Sequence, residues 1–187
     1  IEGTKLLAKK CRSITFENEW VDIVSLRTLQ NEGVSFFPKI DSIAPLINKI
    51  SQRELLNRLD IPCPLWMPIP TNKSSSFILP KEWSFPVMAK AASGGYDGKG
   101  TKILKNLKQL EELIAENNNE EWFIERWVCY EKELSIVATR DVNGFVRSLP
   151  IAEPSQSNQV CDWVIAPAHI NQNVRLMAKN IASSLLV

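Results

Sequence analysis

A chain of 187 residues, 44% hydrophobic and 23% charged, has the make-up of an ordinary soluble globular protein with one sizeable core or two small ones. Its 22 Lys and Arg against 21 Asp and Glu leave a net charge of +1, so no broad field advertises nucleic acid or an anionic membrane as a partner. Cys11, Cys63, Cys129 and Cys161 form no C-x-x-C pair and have a single histidine, His169, to join them, which argues against structural zinc and against a disulfide framework and implies a reducing, cytoplasmic setting. No apolar run approaches about 18 residues, so no membrane-spanning segment is expected. The chain begins at Ile1 and stops at Val187 within an apolar helical pattern, and is expected to be a segment of something longer.

Residues Cys11 to Glu19 combine a short β-prone run, Ser-Ile-Thr-Phe, with Glu17 and Glu19 at strand spacing. A helical pattern from Val21 to Gln30, with apolar Ile23, Val24, Leu26 and Leu29, is stopped by Gly33, and Val34 to Phe37 reads as another short strand. Asp41 is placed to cap a helix with Ile43, Leu46, Ile47 and Ile50 on its apolar face, Pro45 being tolerable near the first turn. Ser51-Gln-Arg-Glu54 then reads as a capping box that restarts or redirects the helix through Leu55, Leu56 and Leu59 up to Ile61-Pro62. Lys49 and Arg53 flank the box, and locally they read as a solvated helix face.

Thr71 to Ser76 is polar and loop-like, and the run after it ends in Lys90. Asn106 to Glu116 is an amphipathic helix with Leu107, Leu110, Leu113 and Ile114 inward. After Trp122 to Val128 the pattern alternates, with Glu133, Ser135 and Val137 on one face and Leu134, Ile136 and Ala138 on the other. A carboxylate among apolar neighbours needs a donor, and the hydroxyls of a ribose would serve; an exposed sheet face is the competing reading of Glu133. Asn143-Gly144 supplies a hairpin turn, and Val174, Met177, Ala178, Ile181 and Leu185 form a core-facing helix. Core packing is the expected role of most of Trp20, Trp66, Trp83 and Trp163.

The stretch from Phe85 to Thr101 carries the most chemistry. An apolar run delivers Lys90, and Gly94, Gly95, Gly98 and Gly100 then build a loop with little side-chain bulk around Tyr96, Asp97 and Lys99. Glycine lets backbone N–H groups converge on an anion, and lysine adds a point charge aimed at it, so the combination suits phosphate. It is neither a Walker loop, which needs G-x-x-x-x-G-K-[ST], nor a G-x-G-x-x-G dinucleotide fingerprint. A plain glycine-rich hairpin is the alternative.

In order, Ser-Gln-Arg after a basic helix, Lys90 before Gly-Gly-Tyr-Asp-Gly-Lys-Gly-Thr, then Phe-Ile-Glu-Arg-Trp-Val and Glu-Lys-Glu-Leu-Ser-Ile-Val form a constellation that resembles the ATP-grasp enzymes, most closely their N5-carboxyaminoimidazole ribonucleotide synthetase family. Gly-Gly-Tyr-Asp-Gly is the discriminating piece, and Thr15-Phe16-Glu17-Asn18-Glu19 and Val164 to Ala168 are similar to further segments of that family. The resemblance implies an α/β (α+β) fold in two parts. Residues 1–47 would end a Rossmann-like preATP-grasp domain, and residues 48–187 would begin an ATP-grasp domain with a glycine-rich lid at about 82–128.

It further implies an ATP-dependent carbon–nitrogen ligase of purine biosynthesis that carboxylates 5-aminoimidazole ribonucleotide with bicarbonate through carboxyphosphate, using ATP and Mg2+ and working as a homodimer. Lys90 would hold the ATP phosphates, with Lys49 beside it, and the loop through Gly95, Gly98, Gly100 and Thr101 would close over them. Glu125, Arg126, Trp127 and Val128 would line adenine, Glu133 would take the ribose hydroxyls, and Gln156 would sit near the nucleotide. Tyr96, Asp97 and Lys99 would be catalytic, facing carboxyphosphate and the aminoimidazole. Lys49 departs from an arginine common in the family and Gln156 from a histidine. The magnesium-binding acids would lie beyond Val187, so the segment alone is expected to bind nucleotide weakly and to catalyse nothing. Another ATP-grasp ligase and a noncatalytic nucleotide-binding module are the competing readings.

Overall fold

The computed structural model describes residues 1–71, 77–95, 100–117, 120–157 and 160–186. The N-terminal part contains α1 (Glu2–Ala8) and α2 (Ile23–Asn31), packed around Ile14, Leu26, Leu29, Phe36 and Ile40. Asp22 caps α2 by accepting from the Ser25 N–H, and the Ser25 hydrogen bonds hold its carboxyl below the usual carboxylate range. Gly33, at φ +95°, turns the chain out of the helix. The two short strands expected around Ile14 and Val34 to Phe37 reduce to one parallel bridge, Ile14 to Phe36. Parallel pairing is the weaker ladder, and these segments meet at a single residue pair.

Asp41 does not cap a helix. It lies inside the short α3 (Ile40–Ile43), and its carboxylate pairs with Arg27 at 2.8 Å. Pro45 sits in the 3-10 turn Ala44–Leu46 that follows. The next helix, α4 (Lys49–Arg58), starts before the Ser51 box: the Asn48 side chain accepts from Ile50 N–H at 2.8 Å and Ser51 N–H at 3.2 Å. Asn48 has extended backbone (φ −129°, ψ 127°) and so takes the cap first, leaving Ser51 within the helix.

A four-stranded antiparallel sheet comes next, built from β1 (Trp66–Ile69), β2 (Val87–Ala91), β3 (Thr101–Leu104) and, after α5 (Leu107–Glu116), β4 (Trp122–Arg126), in the order β1-β4-β2-β3. Strand alternation gives the sheet two different faces. Val87, Ala89, Ala91, Leu104, Trp122, Ile124 and Ile69 form the core with Leu110 and Leu113 of α5, whose first turn is capped by Asn106. The opposite face carries Trp66, Met88, Lys90, Phe123 and Glu125, with Phe123 fully buried and Trp66 edge-on to it at 6.1 Å.

Two hairpins follow, β5 (Ala138–Arg140) with β6 (Val146–Ser148), and β7 (Glu153–Ser157) with β8 (Val160–Ile165). Gly144 closes the first at φ +87°, with Asp141 accepting from the N–H groups of Asn143 and Phe145. The alternating run expected over Glu133 to Ala138 forms no continuous strand before β5 begins: it pairs through a bridge of Ser135 with Ala152 and a bond from Leu149 N–H to Val137 O at 2.9 Å. The last helix, α6 (Gln172–Leu185), has the expected position but not the expected environment: Met177 is 63% and Leu185 45% exposed, and no described residue of α6 is buried. Periodicity decides which side chains share a face, not what covers it. Trp20 and Trp163 are exposed, whereas Trp83 packs against the sheet core and Trp66 is half-buried. No helix among the described residues is long and apolar enough to cross a membrane.

The two candidate caps of α4 separate in a stability measurement. Asn48→Ala is expected to lower the free energy of unfolding by about 1 kcal/mol and Ser51→Ala by clearly less, read from urea midpoints. Equal losses would return the cap to Ser51.

Candidate functional site

Lys90 on β2 and Glu125 on β4 are diagonal neighbours, because Met88 is opposite Glu125 and Lys90 is opposite Phe123. The Glu125 side chain is only 4% exposed, and both of its oxygens are taken by cations. Arg53 donates from Nε and Nη2 to Oε1, each at 2.5 Å, and Lys90 Nζ donates to Oε2 at 2.6 Å. Lys49 and Arg53 are four residues apart on α4 and so share one helix face. Lys49 is tied to the end of β2 twice, its N–H donating to Ala92 O at 2.7 Å and its Nζ to Ala91 O at 3.5 Å. The reading of Lys49 and Arg53 as a solvated helix face is therefore overturned: both are partly buried against the sheet.

Lys90 and Arg53 on the one Glu125 carboxylate leave one positive charge in excess, and Lys49, repelled by both and attracted by Glu19, stands beside them. Lys49 feels its surroundings first through burial and then through charge. Burial lowers its pKa below the ordinary 10.5, the Lys90 charge lowers it further, Glu19 pulls it back up, and Arg53 adds a smaller depression. An anion arriving here relieves that repulsion.

The base of the glycine loop lies beside these charges. Ala91 N–H donates to Gly100 O at 2.8 Å, and Thr101 stands opposite Lys90 in the β2–β3 register. Gly100 has φ +83°, and a Cβ there would meet Gly95 Cα at 3.1 Å and Ala91 Cβ at 3.3 Å. Only glycine closes this neck without displacing backbone. Gly95 is thus brought to Gly100, while Tyr96, Asp97, Gly98 and Lys99 lie outside the described residues.

A second group forms where the chain leaves β4. Gln156 Nε2 donates to Glu133 Oε2 at 2.7 Å, so two of the expected nucleotide contacts stand together. Tyr130 also hydrogen-bonds Glu133, and that bond raises its pKa above the ordinary 10.0. Arg126, Trp127 and Val128 are exposed along the strand end, with Arg126 N–H bonded to Leu65 O. Lys132 steadies the region by bridging Glu153 at 3.0 Å and His169 O at 3.4 Å.

Sequence reasoning missed Arg53, the Glu125 side chain and Tyr130. Two signals for the first pair were present: Arg53 follows Lys49 at one-turn spacing, and Glu125 directly follows the apolar run Trp122-Phe-Ile, where a carboxylate needs partners. Among the described residues no group of three or more His, Cys, Asp or Glu is placed to hold a metal ion.

Opposite effects are expected from removing the anion and a cation. Glu125→Gln leaves Lys90 and Arg53 facing a neutral group and should cost about 3 kcal/mol of stability at pH 7. A lysine whose folded pKa is lowered binds its proton less well folded than unfolded, so its charge opposes folding at neutral pH, and that cost fades as pH rises through the lowered value to 10.5. Lys49→Met should accordingly keep or raise the urea midpoint at pH 7, with the difference shrinking as pH approaches 10.5 and gone above it. A marked loss in this variant would mean that Lys49 is held by attraction.

The ATP-grasp domain family model matches residues 54–187. The N5-carboxyaminoimidazole ribonucleotide synthase of Synechocystis sp. is 38% identical over 185 residues, covering 99% of this chain and 46% of that protein. The phosphoribosylaminoimidazole carboxylase of Saccharomyces cerevisiae is 30% identical over 183 residues, covering 96% and 32%. Among solved structures, carboxyaminoimidazole ribonucleotide synthase from Aspergillus clavatus complexed with ATP is similar at TM-score 0.88 and 25% identity, covering 98% of this chain and 48% of that one. N5-carboxyaminoimidazole ribonucleotide synthetase from Thermotoga maritima is similar at TM-score 0.76 and 30% identity, covering 98% and 46%. The chain spans less than half the length of each of these relatives. With most of its length matched by the family model and its fold shared with these structures, the chain belongs to the ATP-grasp family.

Proposed function

We propose that the chain carries the nucleotide-gripping part of an ATP-dependent ligase that carboxylates 5-aminoimidazole ribonucleotide with bicarbonate. The observation that carries this reading is the excess of positive charge around Glu125, set against the glycine neck at Gly95 and Gly100. Lys90 and Lys49 neutralise phosphate oxygens, the backbone of Glu125 to Val128 takes the adenine edge, and Glu133, oriented by Gln156, accepts from the ribose hydroxyls. Tyr96, Asp97 and Lys99 belong to the proposal on sequence alone. The 38% identity to the Synechocystis synthase supports the choice of acceptor.

Bicarbonate attacks the γ-phosphorus, the bond to the β-γ bridging oxygen breaks, and ADP leaves with carboxyphosphate formed. The amine of the aminoimidazole then attacks the carboxyphosphate carbonyl carbon, inorganic phosphate leaves, and the nitrogen loses a proton. Phosphoryl transfer of this kind depends mainly on positioning and charge neutralisation, which is what a lysine pair and converging N–H groups provide. Magnesium, when bound, would shield the phosphates. The described residues do not fit it, since both Glu125 oxygens are engaged by cations and no group of three or more His, Cys, Asp or Glu among them is placed to hold a metal ion.

The test is ADP release by the gene's full-length product with bicarbonate and magnesium, with and without 5-aminoimidazole ribonucleotide. Stimulation by that nucleotide is expected, together with a fall in kcat/KM for ATP of about 100-fold or more in Lys90→Ala. ADP release indifferent to the aminoimidazole but stimulated by another acceptor would replace the substrate. No turnover with any acceptor would favour a noncatalytic module.

A further inference from the structure

Arg53 closes the Ser-Gln-Arg motif but has no assigned role in the nucleotide reading, yet it makes two of the three bonds to the buried Glu125 carboxylate. Its side chain is 18% exposed, and α4 delivers it from a point 72 residues earlier in the chain. Its Nε and Nη2 donors converge on Oε1, leaving Oε2, among the described residues, to Lys90. The division matters because a carboxylate with one oxygen unpaired can rotate about its terminal torsion, which is broad and two-fold, and can offer either oxygen to the lysine. With Oε1 fixed, the lysine has one anchor in one place. An ammonium has three donors, and a single short bond to Oε2 leaves the others to be directed at a ligand.

We propose that Arg53 is a positioning residue: by holding Oε1 of Glu125 it fixes Oε2 as the anchor that aims the Lys90 ammonium at the polyphosphate of the bound nucleotide. The inference rests on the proposed role of Lys90 in phosphate binding. Arg53 has no need to touch the nucleotide, since the Nε–Nη2 edge of its guanidinium is committed to Glu125. A lysine at this position keeps the charge but carries its donors on a single nitrogen, so it cannot hold an oxygen from two nitrogens. The arrangement thus predicts partial, not full, replacement.

The experiment is a double-mutant cycle on the gene's full-length product, measuring kcat and KM for ATP in the parent, Arg53→Gln, Lys90→Met and the double variant, with thermal midpoints alongside. Arg53→Gln is expected to lower kcat/KM for ATP about tenfold in the parent and less than about twofold in the Lys90→Met background, since residues in one network couple. Arg53→Lys is expected to recover part of the loss. A purely structural role would move the midpoint while leaving the kinetic effects of the two substitutions additive, and additivity overturns the proposal. The same additivity with an unmoved midpoint would mean that Arg53 acts on the nucleotide independently, which also overturns it. If Arg53→Gln does not fold, the cycle is run with Arg53→Lys, and additivity there has the same meaning. Kinetics unchanged in Lys90→Met alone would defeat the phosphate reading itself, and this inference with it; a defect in Lys90→Met with none in Arg53→Gln would defeat this inference only.

Discussion

A buried carboxylate sets the terms for this part of the molecule. Glu125 is taken out of water at the end of a strand whose preceding residues are all buried, and such a group is costly unless both oxygens are met by charge. Meeting that requirement ties together elements distant in sequence: α4 must approach the sheet closely enough for Arg53 to reach, and Lys90 must lean along its strand towards β4. Once α4 is so placed, Lys49 arrives at the end of β2 and bonds Ala91 and Ala92, where the glycine loop departs. The cations are therefore gathered by a structural demand and remain in excess of it, and the excess is what an anionic ligand meets.

The sheet divides labour between its faces. Toward α5, β2 presents Val87, Ala89 and Ala91, fully or nearly fully buried, which let Trp122 and Leu110 pack closely. Toward α4 the same strand presents Met88 and Lys90. One short strand thus supplies core packing on one side and a phosphate-directed charge on the other, so the charge sits on a rigid base. The loop it serves closes through Gly95 and Gly100, where a side chain has no room.

Local signals gave the helices over residues 23–31, 107–116 and 172–185 and the turn at Gly144, because periodicity, caps and turn residues act over a few residues. They did not give the partner of Arg53, which is 72 residues away, nor the exposure of α6. Strand β1 escaped notice because Pro68 lies inside it, and proline argues against a strand except at a sheet edge, where β1 stands. The same applies to Pro154 in β7, half of a two-stranded sheet. Lys49 and Arg53 looked like a solvated pair since Glu54, the acid nearest them in sequence, directly follows Arg53 and does not share their helix face; Glu125 claims Arg53, and the end of β2 claims Lys49, only after folding.

The most direct test is a crystal structure of the protein with a nonhydrolysable ATP analogue. The account predicts phosphate oxygens about 3 Å from Lys90 Nζ and Lys49 Nζ, with Glu125 still bridging Arg53 and Lys90. Phosphates bound away from both lysines, or a Glu125 released from Lys90 to solvent in the complex, would contradict it.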